Sequence, residues 1–403
     1  MLAKWNPVFA TAPRSVVVAA LGTTQTLAWA SSYYLPAIIA RNIGDDLAVS
    51  PTWVFGMFSA SLVLSALLGP AVGRMIDRRG GAGVLVASNF LFAGGLLALA
   101  ACNGLTGLAF AWTLLGVGMA FGLYDAAFAA LASLYGHEAR GPITGITLFA
   151  GFASTVGWPL TAVLDAEIGW RGACIAWALM HLAIGLPLNV LLAPRARHRA
   201  VHKEHARTTW QPRKEMFLLA YIFAASWFVT GAMAAHLPAL LELTGASAVE
   251  AVAAAALMGP AQVAARVAEF VLMRHVHPIW SARIAASLHP AGAAVLAVLG
   301  PPAASVFVLS YGAGNGLLTI ARGTLPLALF GPHGYGARTG LLGAPSRMAQ
   351  AAAPLVFGLL LDHMGKGVLL VSSGLCLSAL AALFFVREKG GFETPPGAGT
   401  SAL

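Results

Sequence analysis

Apolar stretches of about 20 residues follow one another along almost the whole chain, with only short polar loops between them. An α-helix rising about 1.5 Å per residue needs that length to cross the roughly 30 Å hydrocarbon core of a bilayer. Lipid offers no partner for backbone N–H and C=O groups, so spans this apolar must close their hydrogen bonds as helices. A membrane β-barrel would show alternating segments of about ten residues instead. Composition points the same way. Of the 403 residues 58% are hydrophobic and 10% are charged, against about 25% charged in soluble domains. The mean hydropathy is +0.78. A surface with so few charges has to face lipid.

The runs predict an all-α integral membrane protein with twelve transmembrane helices, at about 15–40, 51–73, 81–102, 106–134, 142–164, 170–193, 216–241, 248–273, 281–300, 303–329, 338–361 and 367–386. The loops carry an orientation signal. With an even number of spans, Lys4, Arg14, Arg74, Arg78, Arg79, Arg140, Arg213 and Arg338 share the side of both termini, and only Arg41, Arg171 and Lys366 face the other. The positive-inside rule makes the first side cytoplasmic. The net charge of +9 is thereby explained by topology and implies no nucleic-acid partner. The longest polar segment, 194–215, divides the chain into an N-terminal six-helix bundle (1–193) and a C-terminal one (216–389), with a disordered tail at 390–403. His198, His202 and His205 in that linker read as a solvated basic loop, so no metal is expected there. The apolar stretch after Lys4 and Arg14 exceeds a signal-peptide core of 7–15 residues and reads as the first span. Cys102, Cys174 and Cys376 lack metal-site spacing and read as small packing residues.

After the second predicted helix the chain reads Gly73-Arg-Met-Ile-Asp77-Arg78-Arg79-Gly80-Gly81. This G-x-x-x-D-R-x-G turn resembles the signature loop of the major facilitator superfamily. Further resemblances are Gly157-Trp158-Pro159-Leu160 with Gly169-Trp170-Arg171, and a degenerate counterpart at Pro354-Leu355 and Asp362-His363-Met364-Gly365-Lys366. With the six-plus-six layout the resemblance spans nearly the whole chain. It implies a bacterial twelve-helix secondary transporter of the cytoplasmic (inner) membrane, monomeric and without a cofactor. It also implies a gate on the cytoplasmic side, with Gly73 for close helix approach, Asp77 for an ion pair, and Arg78 and Gly80 for the turn. Gly81 and Ala82 stand where the family often carries two more basic residues; Arg74 and Arg79 are the nearby substitutes.

Ionisable residues inside spans are costly and face a cavity or one another. Asp125, Arg266, Glu269, Arg322 and Arg347 are the five. Counted from the helix ends, Asp125 and the three arginines lie roughly 12–15 Å deep, close to the bilayer half-thickness of about 15 Å. Arg266 and Glu269 stand three apart and can pair along one helix, which would leave Arg322 and Arg347 the less compensated cations. A guanidinium fork suits a carboxylate. The expected substrate is therefore a small organic anion, a carboxylate, on Arg322 and Arg347 with Arg266 nearby. Asp125, or Glu269, would carry a coupled proton. Gln25, Trp29 and Tyr33, Trp227, Gln262 and Asn315 are the polar and aromatic lining candidates. Pairing of Asp125 with an arginine across the cavity is the structural alternative. No nucleotide-binding G-x-x-x-x-G-K-[ST] occurs, nor H-E-x-x-H or G-x-S-x-G, so neither a nucleotide-driven pump nor an intramembrane enzyme is expected. The functional alternative is efflux of drug-like or toxic compounds, metalloids included, by proton antiport.

Overall fold

The structure is a computed structural model and describes residues 13–192, 214–273 and 275–386. The predicted tail, and the predicted linker up to residue 213, lie outside the described residues. Lys214 and Glu215, assigned to the linker from sequence, instead open a helix.

The helices are α1 (Arg14–Ala28), continued by a π-helical turn at Trp29–Tyr33, α2 (Pro36–Asp46), α3 (Pro51–Arg79), α4 (Ala82–Ala101), α5 (Leu105–Gly122), α6 (Tyr124–Tyr135), α7 (Arg140–Ala150), α8 (Ala153–Met180) and α9 (Leu186–Leu192). They continue with α10 (Lys214–Leu243), α11 (Ala248–Ala256), α12 (Met258–Leu272), α13 (Pro278–Leu299), α14 (Ala304–Phe330), α15 (Tyr335–Met364) and α16 (Val368–Phe384). Eight helical stretches among the described residues are long and apolar enough to cross a membrane. Two of them, of 86 and 50 residues, far exceed one crossing. Glycines fold them back: the chain turns through positive φ at Gly136, Gly169 and Gly365, a region only glycine enters without strain.

Several predicted spans are interrupted near their middles. The first breaks where Pro36, lacking an N–H, cannot continue the helical ladder, and the turn before it widens. The fourth breaks at Leu123, whose backbone is extended. There the N–H of Ala126 bonds to the carbonyl of Leu123, which frees the carbonyl of Gly122. The fifth breaks at Gly151–Phe152 and the eighth at Leu257, three residues before Pro260.

Within the first half, α3 packs on α5, α4 on α5 and α8, and α1 on α7; in the second half, α10 packs on α15 and α16, α13 on α14 and α16, and α12 on α14. The two halves meet where α3 and α6 face α15 and where α7 faces α12 and α14. Trp112, Trp177 and Phe92 anchor one buried core, and Phe307 and Phe357 another. Large apolar side chains cover the outside, with Leu67, Phe217, Val298 and Leu370 all exposed. Such an exterior suits lipid.

Candidate functional site

The seam between α3 and α15 shows why the signature loop is rich in glycine. A Cβ on Gly73 would sit 1.9 Å from the carbonyl of Gly336, and one on Gly340 would sit 2.5 Å from the carbonyl of Gly69. The helices touch backbone to backbone, so any side chain would part them. Asp77 closes the end of this seam. Its two carboxylate oxygens accept the N–H groups of Gly336 and Ala337, each at 2.8 Å. Those N–H groups open α15 and have no partner within the helix, and the helix dipole favours an anion there. Asp77 thus binds a helix terminus, and Arg338 on the same helix adds a favourable charge beside it. Gly80 ends α3 at φ 80° with its N–H on Ile76. Arg78 is exposed and makes no hydrogen bond or ion pair among the described residues.

A second clasp lies between α7 and α12. Arg140 donates to the carbonyl of Met273 at 2.9 Å and to Glu269 at 3.4 Å. Glu269 is buried and also lies 3.5 Å from the hydroxyl of Ser281. This corrects the expected pair along α12. Glu269 stands one turn nearer the helix end than Arg266, and there it meets the arginine that opens α7.

The charges of the centre are therefore distributed differently from the sequence expectation. Asp125, at the start of α6, lies between two arginines of the other half. Arg322 on α14 reaches it at 3.0 Å and Arg347 on α15 at 2.7 Å. Arg347 also donates to the buried hydroxyl of Ser65, and the guanidinium of Arg322 lies 4.8 Å from the ring centre of Trp227. Cation–π contact of this kind offsets part of the charge. Arg266 is the cation left over. It is 4% exposed, and among the described residues no carboxylate lies within ion-pair reach of it. Its donors meet only neutral oxygens, at 3.2 Å on the Thr147 carbonyl and 3.4 Å on Gln262 and Thr319, and its Nε has no partner. Gly151 at the break between α7 and α8 leaves the room it needs, for a Cβ there would come within 2.4 Å of its Nη1.

The remaining candidates separate into two groups. Trp29 and Tyr33 join an aromatic cluster. The Trp29 ring lies 4.9 Å from Tyr124 and 5.2 Å from Tyr33, and Tyr33 accepts a 2.6 Å hydrogen bond from Gln350 across the two halves. Gln25 is not with them. It is buried, and its amide donates to the carbonyl of Gly122 at 2.6 Å, the group freed by the break at Leu123. Asn315 accepts from Thr230 at 3.0 Å and borders a separate cavity of about 30 Å³ inside the second half, with His289 and Tyr311. Tyr34, Tyr124, Ser65, Gln350 and Arg140 escape sequence reasoning. Only Tyr124, adjacent to Asp125, carried a positional hint.

Trp29, Tyr33, Tyr34, Thr230, Gln262 and Asn315 are all half-buried, whereas Arg266, Arg322 and Arg347 are buried. The face holding Asp77 and Arg140 is clasped shut.

Comparison with known proteins fits this geometry. Residues 21–337 match the Major Facilitator Superfamily. The crystal structure of the human organic anion transporter MFSD10 (TETRAN) superposes with a TM-score of 0.70 over 93% of this chain and 100% of that one, at 16% identity. The transporter FucP, solved in its outward conformation, gives a TM-score of 0.68 over 93% and 99%, at 12% identity. An uncharacterized 38 kDa protein encoded in the 23S RNA operon of Thermoproteus tenax is 28% identical over 341 residues, 84% of this chain and 86% of that protein. The match over most of the chain, together with the glycine seam and its Asp77 clasp, makes this multi-pass membrane protein a member of the major facilitator superfamily.

Proposed function

We propose that the chain is a secondary transporter that moves a small organic anion, a carboxylate, across a bacterial cytoplasmic membrane by alternating access. On this reading it works as a monomer of twelve spans in two six-helix halves, with both termini cytoplasmic. The folded-back stretches at 105–190 and 335–384 support that count, and the basic loops support the orientation. Nothing in the site resembles a nucleophile–base pair.

The observation that carries the reading is the unneutralised charge of Arg266. A buried guanidinium with only long hydrogen bonds to neutral oxygens costs several kcal/mol. A substrate carboxylate supplies the missing counter-ion, and Arg presents a fork that binds it bidentately. The name of the human structural neighbour, an organic anion transporter, agrees with this reading.

Asp125 provides the coupling in this account. While ionised it holds Arg322 and Arg347, and with them α14 and α15, against α6. When protonated it releases two cations that attract an anion. Proton and anion would then be carried together, or one anion exchanged for another.

Thermal stabilisation of the purified protein tests the assignment, because a ligand that binds only the folded state raises its stability. A panel of carboxylates, phosphorylated metabolites, cationic drugs and arsenite is compared on the wild type and on Arg266→Gln. Stabilisation by carboxylates in the wild type, absent in Arg266→Gln, is expected. Stabilisation by cationic drugs or arsenite alone would reject the anion reading in favour of efflux.

A further inference from the structure

Resting on the anion reading above, we infer that the substrate is an aromatic carboxylate, bound with its carboxylate on Arg266 and its ring in the aromatic cluster of α1 and α6.

The charge comes first. Asp125 shares its carboxylate between Arg322 and Arg347, and the cation left uncompensated in that trio faces only the Trp227 ring and the Ser65 hydroxyl. Arg266 has neither a carboxylate nor an aromatic face within its recorded contacts. Arg266 is therefore the cation with no counter-ion at all, and a carboxylate would supply one.

The surroundings of Arg266 specify the rest of the ligand. Arg266 reaches the Thr147 carbonyl on α7, and Trp29 and Tyr124 pack in the same hydrophobic cluster as Ile146 and Ala150 of that helix. Trp29 lies 6.2 Å from Tyr34 and 4.9 Å from Tyr124, centre to centre. These spacings fall in the range at which aromatic rings attract one another in tilted geometry. Trp29 occupies a π-helical turn, a rare local widening found frequently at functional sites. Its indole Nε1 is buried without a hydrogen-bond partner, so a polar atom arriving beside it would be held. Trp29 also packs against three separate hydrophobic clusters, two of which hold residues of both halves. A ring seated on Trp29 would thus touch the junction that has to rearrange during transport.

An aromatic path leads outward from there. Tyr34 meets Trp158 at 5.7 Å edge to face, and the Trp158 indole donates to the Tyr34 carbonyl at 3.3 Å. Trp158 is 41% exposed. Exposure thus falls along Trp158, Tyr34, Tyr124 and Arg266, from the wall of the molecule to its buried cation.

The test uses matched pairs that differ only in aromaticity: benzoate against cyclohexanecarboxylate, and phenylacetate against cyclohexylacetate. Kd is measured by titration calorimetry on the purified full chain, with benzamide as the uncharged control. The aromatic member should bind about three- to tenfold tighter, the gain typical of aromatic pairing beyond buried area, and benzamide should not bind detectably. Trp29→Leu should erase the difference within each pair while leaving carboxylate binding, and Arg266→Gln should remove both. The wild-type comparison decides even if Trp29→Leu does not fold. Equal affinity within each pair, lost in Arg266→Gln, would overturn the aromatic class and leave the anion reading standing. Absence of binding by all four carboxylates would overturn both.

Discussion

At Asp125 a single carboxylate is asked to neutralise two guanidinium groups across the junction of the two halves. Removing one member of a buried ion pair typically costs about 3–5 kcal/mol, because the other is left charged and uncompensated. Asp125→Asn should therefore lower the thermal stability of the purified protein substantially, and adding Arg347→Gln to it should recover part of the loss, as a thermal denaturation series would register. A double variant no more stable than Asp125→Asn would mean that the three side chains are not coupled. The ionisable residues of the centre were legible in the sequence, since a charge inside an apolar run stands out. An arginine partner for Asp125 across the cavity was readable as the structural alternative, whereas the surroundings of Arg266 and Glu269 were not. Arg266 and Glu269 share a helix and a spacing that permits contact, yet Glu269 meets Arg140 and Arg266 meets no acid, because the partners belong to helices distant in sequence. Tyr34 was not singled out, and Tyr124 reads as facing elsewhere on its helix, for a related reason: helical phase within one span says little where that span is broken at Leu123 or widened after Trp29.

Among the elements, hydropathy located the helices to within a few residues, as α4 and α14 illustrate, because each span needs its own length of apolar chain. It could not reveal the interruptions at Leu123, Gly151 and Leu257, which depend on which backbone groups find partners elsewhere. Gln25 is an example: it reads as a cavity residue, but its amide satisfies the carbonyl that the break at Leu123 exposes. The seam of α3 and α15 was partly legible, since Gly69 and Gly73 mark close helix packing, although the glycines they would meet, Gly336 and Gly340, were not assigned to them. That seam yields a prediction. Gly340→Ala places a methyl group against the backbone of Gly69 and Pro70 and should part the helices on the face bearing Asp77. A cysteine introduced at Ala126, which is buried beside Asp125, in a background where Cys102, Cys174 and Cys376 are replaced, reports the opening. Its labelling by a membrane-impermeant maleimide from that face should accelerate at least several-fold in Gly340→Ala. Unchanged labelling would mean that the seam is not what closes this side.

For the molecule as a whole, the two halves are tied together by the clasps at Asp77 and Arg140, and a buried arginine without a counter-ion, Arg266, stands on α12 one turn from the second clasp. Alternating access follows if the clasp and the site are linked: an anion on Arg266 would draw α7 and α12 together and tighten the Arg140 clasp, and release would let them part again. The most direct measurement of this account is counterflow in proteoliposomes, with unlabelled benzoate inside and labelled benzoate outside, for the wild type and Arg266→Gln. The account predicts transient accumulation of label by the wild type, at least about tenfold above Arg266→Gln reconstituted at equal density, the factor that roughly 1.4 kcal/mol of lost interaction produces. Equal accumulation by the two proteins, or counterflow of a cationic drug in place of the carboxylate, would contradict it.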